Sequence, residues 1–276
     1  MATRRTRLTV TTLVAVLVVV LAVVWLPRLW DKAKSHLTAD VCTVQGYDLD
    51  PDQASVAATM IGSVTQFRIR LPFRASILVL MAGLQESKLR NLAPGDGDRD
   101  SVGVLQQRPS QGWGGGKAST LTNVGEATRE FLEALVKIGN WQSMAPADAI
   151  QAVQISADGS AYAQHESEAT TLAAALQGTK PAAISCSFDK PTQVAPTATV
   201  AQRARTELGI TTPAASGRTV RVPGAHWQTA AWFVANADRL GIERVDYAGR
   251  TWTRNNGWKT SRASSAAVVA TMYHLT

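Results

Sequence analysis

The sequence is short of the residues from which most active sites are built, and each shortage excludes something. Among 276 residues there are only two cysteines and four histidines. Cys42 and Cys186 stand in no context that marks a nucleophile. His36, His165, His226 and His274 are scattered without metal-ligand spacing, so neither a metal nor another cofactor is expected. No run is dense in Lys and Arg, which argues against a nucleic-acid partner. The glycines at 114–116 lack the strand and the Lys-Ser/Thr of a phosphate-cradling loop. Only one apolar stretch is long enough to cross a bilayer, too few for a transporter, and there is no internal repeat.

That stretch comes first. Residues 8–27 read LTVTTLVAVLVVVLAVVWLP, an uncharged run of about 20 residues that would make a helix about 30 Å long. Arg4, Arg5 and Arg7 precede it, and Trp25 and Trp30 flank its far end, where indoles favour the membrane interface. The arginines would stay in the cytoplasm and send the rest outside. A cleaved signal peptide is the rival reading, but its apolar run would be shorter and end at a small-residue site. This one ends in Leu-Pro-Arg-Leu-Trp. Both readings export the body of the protein; the first makes it a single-pass protein of the cell membrane with a cytoplasmic N-terminus. Cysteines in an oxidising space are expected to pair, and a Cys42–Cys186 bridge would enclose most of the exported chain. Closing so long a loop adds ~5 kcal/mol in the chain-entropy account. The formal net charge of +7 is a mild bias toward anionic surfaces, such as a cell wall rich in carboxylate and phosphate.

Helical signals dominate residues 51–178. Pro51-Asp52 opens a helix to 67, an apolar segment at 76–90 forms the second, and Asn123 caps a third. Pro146 starts a fourth, and residues 168–176 make a fifth. A long irregular connection spans 91–122. Residues 188–200, rich in Pro, Thr and Ala, read as a linker. Beyond it come a helix at 228–240, a hairpin at 242–254 turning at Ala248-Gly249, and a strand at 267–274. The expected architecture is a cytoplasmic tip and transmembrane anchor at 1–30, a stalk at 31–50, a mainly α domain at 51–187, the linker, and a small α+β domain at 201–276. Trp227, Trp232, Trp252 and Trp258 would fill the core of that last domain. The alternative is an aromatic face for the wall or for an envelope protein.

The chemistry gathers around Glu86. Ile77, Leu80, Met81 and Leu84 recur at helical spacing, while Val79, Ala82 and Gly83 cover the opposite side. A helix apolar nearly all round belongs inside a domain. Glu86 lies near its end on the Val79–Ala82–Gly83 side, where desolvation would raise its pKa as a general acid requires. The bland alternative is a solvated i, i+4 pair with Arg90. The connection that follows carries Asp96, Asp98 and Asp100. One of these could serve as a second carboxylate that activates water, if the two carboxyls stand about 6.5–9.5 Å apart. Asp-x-Asp-x-Asp also begins like a calcium loop, but Ser101 replaces the needed glycine and Gln107 the bidentate glutamate. A solvated turn is the third reading.

Glu86-Ser87, followed by Ser101-Val-Gly-Val-Leu-Gln106 and later by Ala161-Tyr162, resembles the catalytic core of soluble lytic transglycosylases and goose-type lysozymes. The resemblance covers about residues 72–165 and implies a helical lysozyme-like fold that cuts the glycan strands of peptidoglycan. On it, Glu86 is the acid, Ser87 the serine that follows, Gly103 the motif glycine, and Gln106 the glutamine lining the sugar cleft. Tyr162 would hold Glu86 or the substrate. Val104-Leu105 replaces the usual Leu-Met, and Ala163 stands where the family has asparagine. Trp113 could offer its flat face to a sugar ring, or simply pack onto the domain. In the transglycosylases the substrate's N-acetyl group stabilises the cationic centre and an anhydro sugar results, so one carboxyl suffices. Lytic transglycosylase, muramidase, and a non-catalytic wall-binding or scaffold module all remain open.

Overall fold

A computed structural model describes residues 40–275 except 157, 225 and 265. The anchor expected at 8–27 lies outside the described residues. Among those described, no helix is long and apolar enough to cross a membrane. The described residues cluster together as one unit.

Pro51 opens the first helix, Pro51–Thr65, where its missing N–H costs nothing, and Gln53 Oε1 accepts from the Asp50 backbone N–H at 2.7 Å. The Glu86 helix runs Phe73–Ser87. Leu78, Val79, Leu80, Met81, Ala82 and Gly83 are all buried, so no face of its middle turns meets water, although Ile77 is only half-buried. It packs against both the first helix and the helix Glu166–Leu176. Asn123 caps the helix Val124–Leu135 by accepting from Glu126 N–H at 3.2 Å. Pro146 opens Pro146–Gln154, and a 3₁₀ segment, Gly159–His165, leads into Glu166–Leu176.

The expected mainly α domain with a separate small α+β domain is not what forms. The fold is mixed α/β with two antiparallel sheets. Three strands, β1 (Val41–Val44), β2 (Tyr47–Leu49) and β3 (Ile184–Ser187), make one sheet in the order β2-β1-β3. Residues 41–49, read as stalk, are therefore part of the fold; Cys42 and Val44 are fully buried. These strands are only three or four residues long, too short for a clear alternation, and β1 finds β3 across most of the helical region. The Cys42–Cys186 disulfide joins directly paired residues of β1 and β3, at a sequence separation of 144.

The second sheet has six strands in the order β4-β5-β9-β6-β7-β8: β4 (Ala214–Ser216), β5 (Thr219–Pro223), β6 (Ile242–Tyr247), β7 (Arg250–Thr253), β8 (Gly257–Thr260) and β9 (Ala267–Met272). The β6–β7 hairpin turns at Ala248-Gly249, and β8 follows a turn at 254–256.

Residues 188–200 do not span a gap between bodies. Phe188 is buried, and a helix begins within the stretch, Thr197–Leu208, burying Val200. Gly62 of the first helix lets this helix end come close: a Cβ there would stand 1.9 Å from the Glu207 carbonyl oxygen. The Glu207 carboxylate accepts from Thr59 Oγ1 (2.8 Å), Trp232 Nε1 (3.0 Å) and Arg239 (2.8 Å), tying three further elements together. Trp252 Nε1 donates to Cys186 O at 3.1 Å and Trp258 Nε1 to Ile184 O at 2.8 Å, so the larger sheet is bonded to the disulfide-bearing strand. Arg254, 4% exposed, donates to the carbonyls of Asp189, Ala237 and Ile242 and pairs with Asp238 at 3.0 Å. Trp232 and Trp252 are core residues, whereas Trp227 and Trp258 are half-buried and stack edge to face, 5.4 Å between ring centres.

Candidate active site

The Glu86 helix cannot continue past Ser87, because Lys88 and Leu89 take left-handed φ values of 55° and 59°. Ser87 Oγ, at this turn, donates to Val104 O at 2.8 Å and accepts from Arg90 N–H at 3.1 Å. It thereby fastens the last turn of the helix to the 103–106 turn. Gly103 makes that turn possible: its φ is +75°, its N–H reaches Leu92 O at 2.8 Å, and a Cβ would lie 2.2 Å from Leu121 O.

Glu86 itself is half-buried. Tyr162, fully buried in the 3₁₀ segment, donates its hydroxyl proton to Glu86 Oε1 at 2.5 Å. Gln154, the last residue of Pro146–Gln154, donates Nε2–H to Leu105 O at 2.8 Å. Desolvation raises the Glu86 pKa above 4.5, opposed by the Tyr162 hydroxyl and then the Gln154 amide, both of which favour the carboxylate. Burial first, and then the bond to Glu86, push the Tyr162 phenol up as well, so it remains a donor. The solvated pair with Arg90 does not form; Arg90 instead meets Asp50 at 2.5 Å.

One residue along, Gln85 Oε1 accepts from Gln164 Nε2 at 3.1 Å and sits 3.0 Å from His165 Nε2. Burial lowers the pKa of that imidazole. This second layer couples the 3₁₀ segment to the Glu86 helix at two adjacent positions. Gln85, Gln154, Gln164 and His165 were not legible as site residues. A glutamine at a helix end carries no spacing signal, and His165 looked like one of four scattered histidines.

The other expected residues are placed unevenly. Gln106, in a left-handed conformation with φ 46°, turns Nε2 back to Gly103 O at 2.9 Å, so part of its amide closes its own turn. Trp113 is half-buried and packs on the core from a 3₁₀ turn, Trp113–Gly116. The three aspartates are engaged within their own loop. Asp96 Oδ2 accepts from Ala93 N–H at 3.1 Å, and exposed Asp98 stands 3.9 Å from Arg99. Asp100 is held well below the usual carboxylate range by Ser110 and by Arg108, whose Nε donates at 2.8 Å. None of their recorded bonds reaches Glu86. Among the described residues no three His, Cys, Asp or Glu side chains cluster as a metal site would require.

A cavity of about 500 Å³ lies elsewhere, between the first helix, the start of Val124–Leu135 and Thr197–Leu208. Its arginines are already paired, Arg129 with Glu126 and both Arg203 and Arg239 with Glu207. No family model matches this chain, and no curated protein is significantly similar to it.

Proposed function

We propose that this chain is an exported, membrane-anchored enzyme that cleaves the glycan strands of peptidoglycan, with Glu86 as its general acid. The observation that carries the reading is one carboxyl, raised by burial and gripped by the fully buried Tyr162 hydroxyl, at the helix end that Ser87 fastens to the 103–106 turn. A glycosidic bond breaks when a positioned acid protonates the leaving oxygen while an oxocarbenium-like centre develops. With Tyr162 donating to Oε1, the acidic proton belongs on Oε2. After it transfers, the bond from Tyr162 stabilises the carboxylate left behind. That carboxylate then serves as base, taking a proton from a sugar hydroxyl in a transglycosylase or from water in a hydrolase. The substrate's own N-acetyl group supplies the cation stabilisation, so no second carboxylate is required. A disulfide between Cys42 and Cys186 suits an oxidising space outside the cell.

Left-handed, non-glycine backbone supports a functional reading. Lys88 follows Ser87, Gln106 follows Leu105 and Ile155 follows Gln154, with φ of 55°, 46° and 51°; they are three of the eight such residues among those described. Such conformations cost of order 1–3 kcal/mol and gather at functional sites.

The test is release of soluble fragments from purified peptidoglycan. The full chain should release them, Glu86→Gln should lower the rate by at least ~1,000-fold, and mass spectrometry should show anhydro or reducing ends. An undiminished rate in Glu86→Gln removes the proposal. A second reading, a wall-binding module without turnover, draws on exposed Ala163, which stands where the related motif has asparagine. It predicts glycan binding by the wild type with no fragments released.

A further inference from the structure

Where the first helix turns into the Glu86 helix, exposed apolar side chains stand among arginines. The segment 66–74 reads Gln-Phe-Arg-Ile-Arg-Leu-Pro-Phe-Arg. Of the four exposed large hydrophobic side chains among the described residues, two lie here, Ile69 at 47% and Phe73 at 37%. Such side chains scattered singly need no explanation, but two so close together on one loop do. Arg68 meets Glu133 at 2.9 Å, an exposed pair that salt screens. Exposed Arg70 bonds to none of the described residues. Arg74 donates to Met144 O, which brings in the stretch 136–144 with exposed Lys137. From 53 to 85 the sequence holds no Asp or Glu. A cavity of about 350 Å³ opens within this surface, with Arg70, Thr65 and Gln177 on its polar side and Val64, Leu71 and Phe73 on its apolar side.

We propose that this surface, Arg68–Arg74 with Lys137, rests on the headgroups of an anionic lipid bilayer. Ile69 and Phe73 would enter the boundary between headgroups and acyl chains, and the cations would meet lipid phosphates. A guanidinium suits that partner because its fork matches two phosphate oxygens at once. The cavity has the same make-up as a lipid headgroup, charged on one side and apolar on the other. Four cations, Arg68, Arg70, Arg74 and Lys137, share this end, and the one carboxylate bonded to them among the described residues is Glu133. An acidic protein would answer the charge as well, but the bilayer is favoured by reach. The segment 28–39, between the apolar run and the described chain, spans at most ~40 Å, so an anchored chain would hold this surface close to lipid throughout. Glu86 stands at the other end of the same helix, about 20 Å along its axis from Phe73. Docking by the loop would therefore hold the acid away from the bilayer and toward the space outside it.

This inference rests on the membrane-anchored reading, and its test separates the two. Cys42 and Cys186 are bonded to each other, so an Ile69→Cys full chain takes a nitroxide probe, itself apolar, at that position alone. In vesicles of phosphatidylcholine with phosphatidylglycerol, the probe should be relaxed more by oxygen, which concentrates in lipid, than by a water-soluble nickel chelate. In phosphatidylcholine alone that order should reverse. Adding Arg70→Glu should lower the ratio of docked to free probe ~30-fold in the anionic vesicles, because a reversal counts as two surface charges. Amide exchange over 68–74 in the unaltered chain is an independent measure, and should be slower in anionic than in neutral vesicles. A probe equally open to the chelate in both vesicles, or equal exchange, overturns the proposal. Shielding by polyglutamate without shielding by lipid assigns the surface to an acidic polypeptide and overturns it too. A full chain that floats free of every vesicle defeats the anchored reading, and this inference with it. A retained chain whose probe stays in water defeats only the docking, and fragment release by the same vesicles reports on the Glu86 chemistry separately.

Discussion

Glu86 is under two opposed influences, burial that favours the proton and hydrogen bonds that favour the charge, and burial prevails. The sign of the consequence for stability follows. A pKa raised above the ordinary 4.5 means that the folded chain binds this proton more tightly than the unfolded one. At pH below 4.5 the group is protonated in both states and folding keeps its full benefit. As pH rises through the window up to the folded pKa, that benefit is lost. Glu86→Gln should therefore melt higher than wild type at neutral pH, with the gap closing in acid; melting curves against pH decide it, and a gap that widens in acid contradicts the argument. Tyr162→Phe removes a buried donor. It should cost about 1.5–3 kcal/mol at pH values where Glu86 is ionised, as measured by denaturant unfolding. The basic limb of the pH–rate profile of the proposed activity should move up, because the ionised carboxyl has lost its phenolic donor.

At the scale of elements, the site depends on a junction between the Glu86 helix and the turn that follows it in the fold. Ser87→Ala cuts the bond to Val104 O and should cost about 1 kcal/mol, with a larger effect on turnover than on substrate affinity because the acid is displaced. Gly103→Ala faces both a positive φ and a carbonyl oxygen 2.2 Å away, and should cost about 2–4 kcal/mol by urea titration. The helices of residues 51–176 were largely legible, whereas Thr197–Leu208, which begins in the stretch read as a linker, was not. Pro51, Asn123 and Pro146 mark starts through capping and fixed φ, and the unbroken apolar surface around residues 78–83 does correspond to a buried helix. The short strands were not, because three or four residues hold no periodicity that separates them from loop.

The whole described chain is closed by long-range bonds. β1 pairs with β3, the disulfide locks that pairing, and the larger sheet sends Trp252 and Trp258 onto the same strand. Losing the bridge in a Cys42→Ser/Cys186→Ser protein should cost up to ~5 kcal/mol. It should also loosen the larger sheet's docking, seen as faster hydrogen exchange at Ile184 and Trp252. Equal exchange in both proteins would show that the sheets hold without the bridge. Because Ser55 Oγ bonds Asn236 Oδ1 at 2.8 Å inside the core, the last third of the chain braces the first helix, which is packed against the Glu86 helix.

Hydrophobic pattern and composition were enough to mark the buried helix that carries Glu86 and the two cysteines, whereas Gly103 came only from the motif resemblance. The helix and the cysteines depend on neighbours within a few residues, or on composition alone. What meets Glu86 was a different matter. Tyr162 lies 76 residues further along the chain and was expected beside Glu86 only through the motif resemblance; it reaches the carboxyl because the 3₁₀ segment folds back onto the Glu86 helix. The same holds for the pairing of β1 with β3 and for the aspartates' attachment to their own loop. Contacts of that kind are set by which buried surfaces fit together across the fold, and no local window of residues contains that information.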